Sequence, residues 1–165
     1  MPAIKVLFYG ALGSGKFTVG GGETGNYRTI HLLKKNDFEV ITLHKPYPVK
    51  NLVGYLVYSI RMLLKLFSFY RILLNSNIKT VHVSGFYLHL IYHEFLLIVI
   101  ARALNKKTIY ELRGGGVIEA YKERSFLYRY IFKATVKKAS VVLCQGKAYI
   151  DFLKTLTKVD VFYYP

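Results

Sequence analysis

The sequence predicts an α/β protein: a Rossmann-like, doubly wound parallel sheet of about six strands with helices on both faces. Three observations predict it. Short apolar runs alternate with longer helix-compatible segments along the whole chain. Those short runs are near-continuously apolar, as strands buried on both faces require. The first run leads at once into a glycine-rich segment, the order of a strand, a phosphate-type loop and a helix.

Taken in order, Ile4–Tyr9 reads as the first strand and GALGSGKFTVGGGETG (10–25) as the loop, with a helix from about Glu23 to Lys35. Phe38–Leu43 is the second strand. His44–Lys50, with two prolines, is a loop, and Asn51–Leu74 is a long helix. Thr80–Val83 is a short third strand, with Ser84-Gly85 as the turn after it, and Tyr87–Leu104 is a helix. Lys107–Leu112 is the fourth strand, followed by a glycine loop at 114–116 and a helix over Arg124–Lys138. Val141–Cys144, Lys147–Leu156 and Val159–Tyr163 complete the pattern as strand, helix and strand. Right-handed crossovers then bring the loops after strands one, three and four to the carboxyl edge of the sheet, where such folds bind ligands.

Length favours one domain: 165 residues, 53% of them hydrophobic, suffice for a packed core and exclude a disordered chain. The net charge of +15 implies a polyanionic partner, such as a phosphorylated substrate or an anionic membrane surface. Nucleic acid is not expected, because no recognition motif accompanies the charge. Cys144 is the only cysteine, so no internal disulfide forms, and a cytoplasmic chain is expected. No signal peptide is visible. Segments 51–74 and 86–101 are interrupted by charged or histidine residues and fall short of the roughly 18 uncharged apolar residues of a span.

The glycine loop nearly fits two phosphate motifs. Gly10, Gly15 and Lys16 have P-loop spacing, but Phe17 stands where a Mg²⁺-binding hydroxyl belongs. The dinucleotide fingerprint fits only at Gly13 and Gly15, with Thr18 in place of the third glycine. His89 and His93 are read as one helical turn apart beside Glu94, without the further ligands a metal needs, so no metal site is expected. In the long helix, Gly54, Arg61, Lys65 and Ser68 share a narrow stripe, and the remaining apolar arc is wide enough to imply burial on more than one side. Partial insertion at a membrane surface is the alternative. In the next cationic helix, Arg129, Lys133 and Lys137 recur opposite Leu127, Tyr130 and Ile131. Arg61, Lys65, Arg129, Lys133 and Lys137 are therefore the candidate membrane-facing cations.

Residues 20–40, GGGETGNYRTIHLLKKNDFEV, resemble the N-terminal, acceptor-side domain of the GT-B glycosyltransferases, specifically the retaining family 4. Gly20-Gly21-Gly22-Glu23 match its G-G-x-E. Asp37-Phe38-Glu39-Val40 fall where it has G-H-E-V, with Asp and Phe replacing Gly and His. Thr80–Gly85, Lys107–Gly114, Ala139–Cys144 and Phe162–Pro165 are similar to its later strands, so the resemblance covers essentially the whole chain.

That resemblance implies one half of a GT-B fold, residues 1–165 forming a single Rossmann-like domain with the C-terminal donor-binding domain absent. It implies a hexosyltransferase that moves sugar from a nucleotide-diphospho-sugar to a polysaccharide or lipid-linked acceptor, inactive as the isolated half. No cofactor is implied for this half alone. The implied substrate-binding residues are Gly20, Gly21, Gly22, Glu23, Ser84, Gly85 and Gly114. Arg113 stands where many relatives have a histidine, so it carries the cationic role, transition-state charge stabilisation, without proton chemistry. The implied location is cytoplasmic, peripheral on the inner face of the membrane. A non-catalytic membrane-docking subunit that recruits a donor-binding partner, and a P-loop NTPase, are the alternatives.

Overall fold

The computed structural model describes residues 4–13, 20–47, 52–86 and 88–164. Its elements are β1 (Lys5–Gly10), α1 (Gly21–Lys35), β2 (Glu39–His44), α2 (Leu52–Asn75), β3 (Thr80–Phe86), α3 (Ile91–Ala103), β4 (Lys107–Arg113), α4 (Val117–Glu123), α5 (Phe126–Lys138), β5 (Val141–Cys144), α6 (Ala148–Leu156) and β6 (Asp160–Tyr163). The strands form a six-stranded parallel sheet in the order β2-β1-β3-β4-β5-β6, flanked by helices, a Rossmann-like α/β arrangement. By contact density the chain divides into two compact units, Met1–Lys79 and Thr80–Pro165.

In the first unit β1 and β2 pair from Lys5↔Glu39 to Gly10↔His44, and a 2.9 Å ion pair joins the first of these couples. Val6 to Gly10 are buried, as strands covered on both faces must be. β2 departs from that expectation: it ends the strand order, and only Leu43 within it is buried.

Helix α1 begins two residues earlier than its sequence suggests, because Gly21 and Gly22 enter its first turn, where Glu23 and Thr24 N–H both reach the Gly20 carbonyl at 3.2 Å. At its other end Asp37 adopts φ 62°, and the Phe38 N–H donates to the Leu33 carbonyl at 3.1 Å. This is a left-handed helix stop of the kind glycine usually supplies, and Asp is among the residues that tolerate it.

Helix α2 does not meet the expectation of burial on more than one side. Among its residues of described burial only Gly54, Met62, Phe69 and Leu73 are buried, while Val53, Leu56, Ile60, Leu63, Leu64, Phe67 and Leu74 are all about half or more exposed. Among the described residues, no helix is long and apolar enough to cross a membrane.

In the second unit β3 pairs with β4, β4 with β5, and β5 with β6, all parallel. β3 runs on through Ser84, Gly85 and Phe86, so the expected turn lies inside the strand. α3 begins at Ile91 rather than Tyr87, which leaves His89 ahead of the helix and not one turn from His93. α3 packs Ile91, Leu97, Ile98 and Ala101 against β3, β4 and α5. The short α4 has no counterpart in the sequence reading.

Helix α5 is capped by the Ser125 hydroxyl, which accepts from the Tyr128 N–H at 3.3 Å. Its inner face is Tyr128, Phe132, Thr135 and Val136. The expected inner residues Leu127 and Tyr130 are exposed instead. On the inner side Tyr121 meets Phe132 and Phe152 edge-on, at 5.6 and 5.2 Å.

Candidate functional site

In the second unit, strand alternation sorts β3 and β4 into two faces. His82 and Ser84 share one face with Glu111 and Arg113, and all four are buried. Glu111 lies 2.8 Å from His82 Nε2 and 2.6 Å from the Arg113 guanidinium. Arg113 is only 1% exposed, so its charge is spent first on Glu111. On the other face a Cβ at Gly85 would overlap the Tyr110 ring. The Tyr110 hydroxyl donates to Glu94 at 2.8 Å, and the Phe86 N–H donates to the other oxygen of the same carboxylate at 2.8 Å. Burial first, and then Glu94, push the Tyr110 pKa well up, so it remains a neutral donor. Gly85 is thus required by packing within the sheet, and Ser84 is fully buried beside Glu111 in the register.

Past Arg113 the backbone turns through Gly114 (φ 104°) and Gly116 (φ 77°) into α4. Both conformations favour glycine. The Gly116 N–H donates to the Tyr149 hydroxyl at 3.1 Å, which ties the loop after β4 to α6. Gly146, in the loop after β5, leaves room for the same ring, which would lie 2.7 Å from an added Cβ.

In the first unit the glycine segment opens α1. Gly20 is extended (φ −178°), and an added Cβ at Gly20 or Gly21 meets nothing within 4 Å. Among the described residues, neither glycine is required by a left-handed turn or by packing. The buried Glu23 carboxylate accepts a hydrogen bond from the Tyr47 hydroxyl. Three residues that sequence reasoning passed over hold the start of the loop. Asn26 Nδ2 donates to the Ala11 carbonyl at 2.7 Å, the Tyr27 hydroxyl to the Gly13 carbonyl at 3.1 Å, and the Leu12 N–H to His44 Nδ1 at 3.1 Å. Asn26 carried a detectable signal, as a polar residue on the buried side of an amphipathic helix. The P-loop residues Gly15, Lys16, Phe17 and Thr18 lie outside the described residues.

Next to this loop, His44, Pro46 and Tyr47 face Arg61, Leu64, Lys65 and Ser68 of α2 across an open pocket of about 530 Å³. The predicted stripe is therefore real at Arg61, Lys65 and Ser68, whereas Gly54 is buried. Burial lowers the His44 pKa, and nearby Lys65 acts in the same direction, against the Gly10 backbone and Glu23. With Nδ1 accepting from Leu12, the neutral imidazole carries its proton on Nε2. On α5, Arg129, Lys133 and Lys137 are exposed; the last two line a second pocket of about 620 Å³ with Lys154 and Lys158. Among the described residues no three His, Cys, Asp or Glu side chains cluster to hold a metal ion.

No protein-family model matches the chain, and no curated protein matches it.

Proposed function

We propose that the chain is the acceptor-side half of a sugar transferase of the GT-B type, working with a donor-binding half on a nucleotide-diphospho-sugar. The open space over Gly20 and Gly21 carries this reading. Two glycines whose added Cβ would meet none of the described residues stand at the N-terminus of α1, where backbone N–H groups and the helix dipole favour a diphosphate. Asp37 adds support: it takes a left-handed conformation, of the kind glycine favours, at the position where the resembled motif has glycine.

In the transfer step the bond from the anomeric carbon to the diphosphate breaks and an acceptor hydroxyl bonds to that carbon. The electron pair of the broken bond passes to the diphosphate, whose departing oxygen takes up the hydroxyl proton, and negative charge collects on the diphosphate. The α1 N-terminus stabilises that charge where it develops. Arg113, in the second unit, is buried with its charge engaged by Glu111, so this reading assigns the stabilisation of charge to the α1 N-terminus.

In a protein containing both halves, Gly21→Val should reduce transfer of labelled sugar at least a hundredfold and leave the melting temperature unchanged. Full transfer by that variant would reduce the loop to a linker. Measurable turnover by this chain alone would contradict a shared cleft. The outward apolar arc of α2 favours a second reading, a membrane-docking subunit that recruits a catalytic partner.

A further inference from the structure

We infer that the pocket between β2 and α2 binds the phosphate of an anionic membrane lipid, while α2 lies in the plane of the bilayer surface. The inference deepens the proposed function by naming a lipid class at this half, and it stands on the following geometry.

A helix on a soluble protein turns its apolar stripe inward and its polar side outward. α2 is apolar both inward and outward. Its narrow inner seam is Met62, Phe69 and Leu73, and its outward arc carries Leu56, Ile60, Leu63, Leu64 and Phe67. One cation interrupts that arc, Arg71, and its guanidinium lies over the Phe67 ring at 5.8 Å. The polar residues gather on one flank instead. There Arg61, Lys65 and Ser68 line the pocket together with His44 and Tyr47.

Leu64 lines the pocket and is also exposed on the outward arc, so a cationic, hydroxyl-bearing recess opens directly beside an apolar surface. That juxtaposition fits an amphiphile with an anionic head. The head finds two cations and an imidazole, while the Tyr47 and Ser68 hydroxyls donate to the Glu23 carboxylate and the Leu64 carbonyl, and the acyl chains continue along the helix.

Charge selects the occupant. No Asp or Glu occurs between Glu39 and Glu94, while Lys45, Lys50, Arg61, Lys65, Arg71 and Lys79 do. A second copy of the chain would bring the same charge to the same face, in a molecule already at +15. An anionic bilayer attracts that face and also buries its apolar arc.

The test is co-sedimentation of the full chain with phosphatidylcholine vesicles, with and without phosphatidylglycerol. Wild type should bind only the anionic vesicles and release as salt rises. Arg61→Gln with Lys65→Gln should weaken binding by roughly tenfold or more, the effect of withdrawing two cations from an anionic surface. Arg129→Gln with Lys133→Gln and Lys137→Gln, which removes more charge elsewhere, should weaken it less.

The chain has no tryptophan, so Leu63→Trp supplies a unique probe at an exposed position. Its emission should shift to the blue on anionic vesicles. An unshifted probe would overturn the in-plane helix, and equal losses in the two cation variants would overturn the pocket. Inorganic phosphate that stabilises wild type but not the Arg61/Lys65 variant, without vesicle binding, would reassign the pocket to a soluble phosphate. None of these readouts involves sugar transfer, so failure here leaves the transferase proposal standing, and the reverse holds as well.

Discussion

Helices α2 and α3 are both strongly apolar, LVGYLVYSIRMLLKLFSFYRILLN and IYHEFLLIVIARA, and they end in opposite environments. In α3, Leu97 and Ile98 are fully buried against β3, β4 and α5. In α2, Leu56 and Leu63 are each 64% exposed. Hydropathy measures how much a segment gains from leaving water; the environment that lets it leave is a separate matter. Five exposed side chains on α2 forgo on the order of 10 kcal/mol, at about 1.5–3 kcal/mol each if fully buried. That forgone energy is available to whatever covers the helix. Acidity separates the two as well: α3 has Glu94 locked under Tyr110, and α2 has no carboxylate at all.

The largest expected effect breaks the comparison directly. Leu97→Ala in α3 should cost about 2–5 kcal/mol in urea unfolding. Leu63→Ala in α2 should stay within roughly 0.5 kcal/mol without membranes. Equal costs would mean that α2 is covered in solution.

The two units differ in their glycines too. Gly85→Ala pushes a methyl into the Tyr110 ring and should cost about 1–3 kcal/mol. Gly21→Ala meets open space and should change stability by less than about 0.5 kcal/mol. A large loss at Gly21 would give that glycine a packing role and remove the main support for a ligand-facing loop.

A smaller effect follows pH. The folded-state pKa of His44 is below its unfolded value of about 6.5. Folding therefore favours the neutral ring. Its contribution is present above pH of about 6.5 and is lost as pH falls through the lower folded value. His44→Gln should flatten the stability profile in that acid window. Bound phosphate should raise the His44 pKa, visible as a shift of the imidazole NMR titration, whereas an unmoved titration would place the anion elsewhere. Smallest of all, Asp37→Gly should stabilise the first unit by about 0.5 kcal/mol, as relief of the left-handed strain outweighs the added chain entropy. A loss on chemical denaturation would give the Asp37 side chain a role of its own.

Much of this was legible beforehand. All six strands and the parallel α/β class follow from apolar runs separated by helical segments; burial on both faces leaves that trace in the inner strands, while the edge strands β2 and β6 each bury only one residue. The helix starts were less legible. Gly21 and Gly22 read as loop because glycine disfavours helices, yet the first turn costs little and the Gly20 carbonyl accepts from two N–H groups there. Gly85 read as a turn because nothing local announces the Tyr110 ring one strand away. Arg113 read as a cation for transition-state charge; strand alternation already puts Glu111 on its face, and the β3–β4 register adds His82 against Glu111.

The sequence by itself determined the fold class, the cationic character and the position of the glycine segment, because periodicity and composition are local and additive along the chain. Tertiary structure alone decided which apolar helix is covered, which glycine is needed for packing and which cations converge on a pocket. Those properties depend on neighbours distant in sequence: Tyr110 meets Gly85, Glu111 meets His82, and His44 meets Lys65 only after the strands have paired and the helices have packed.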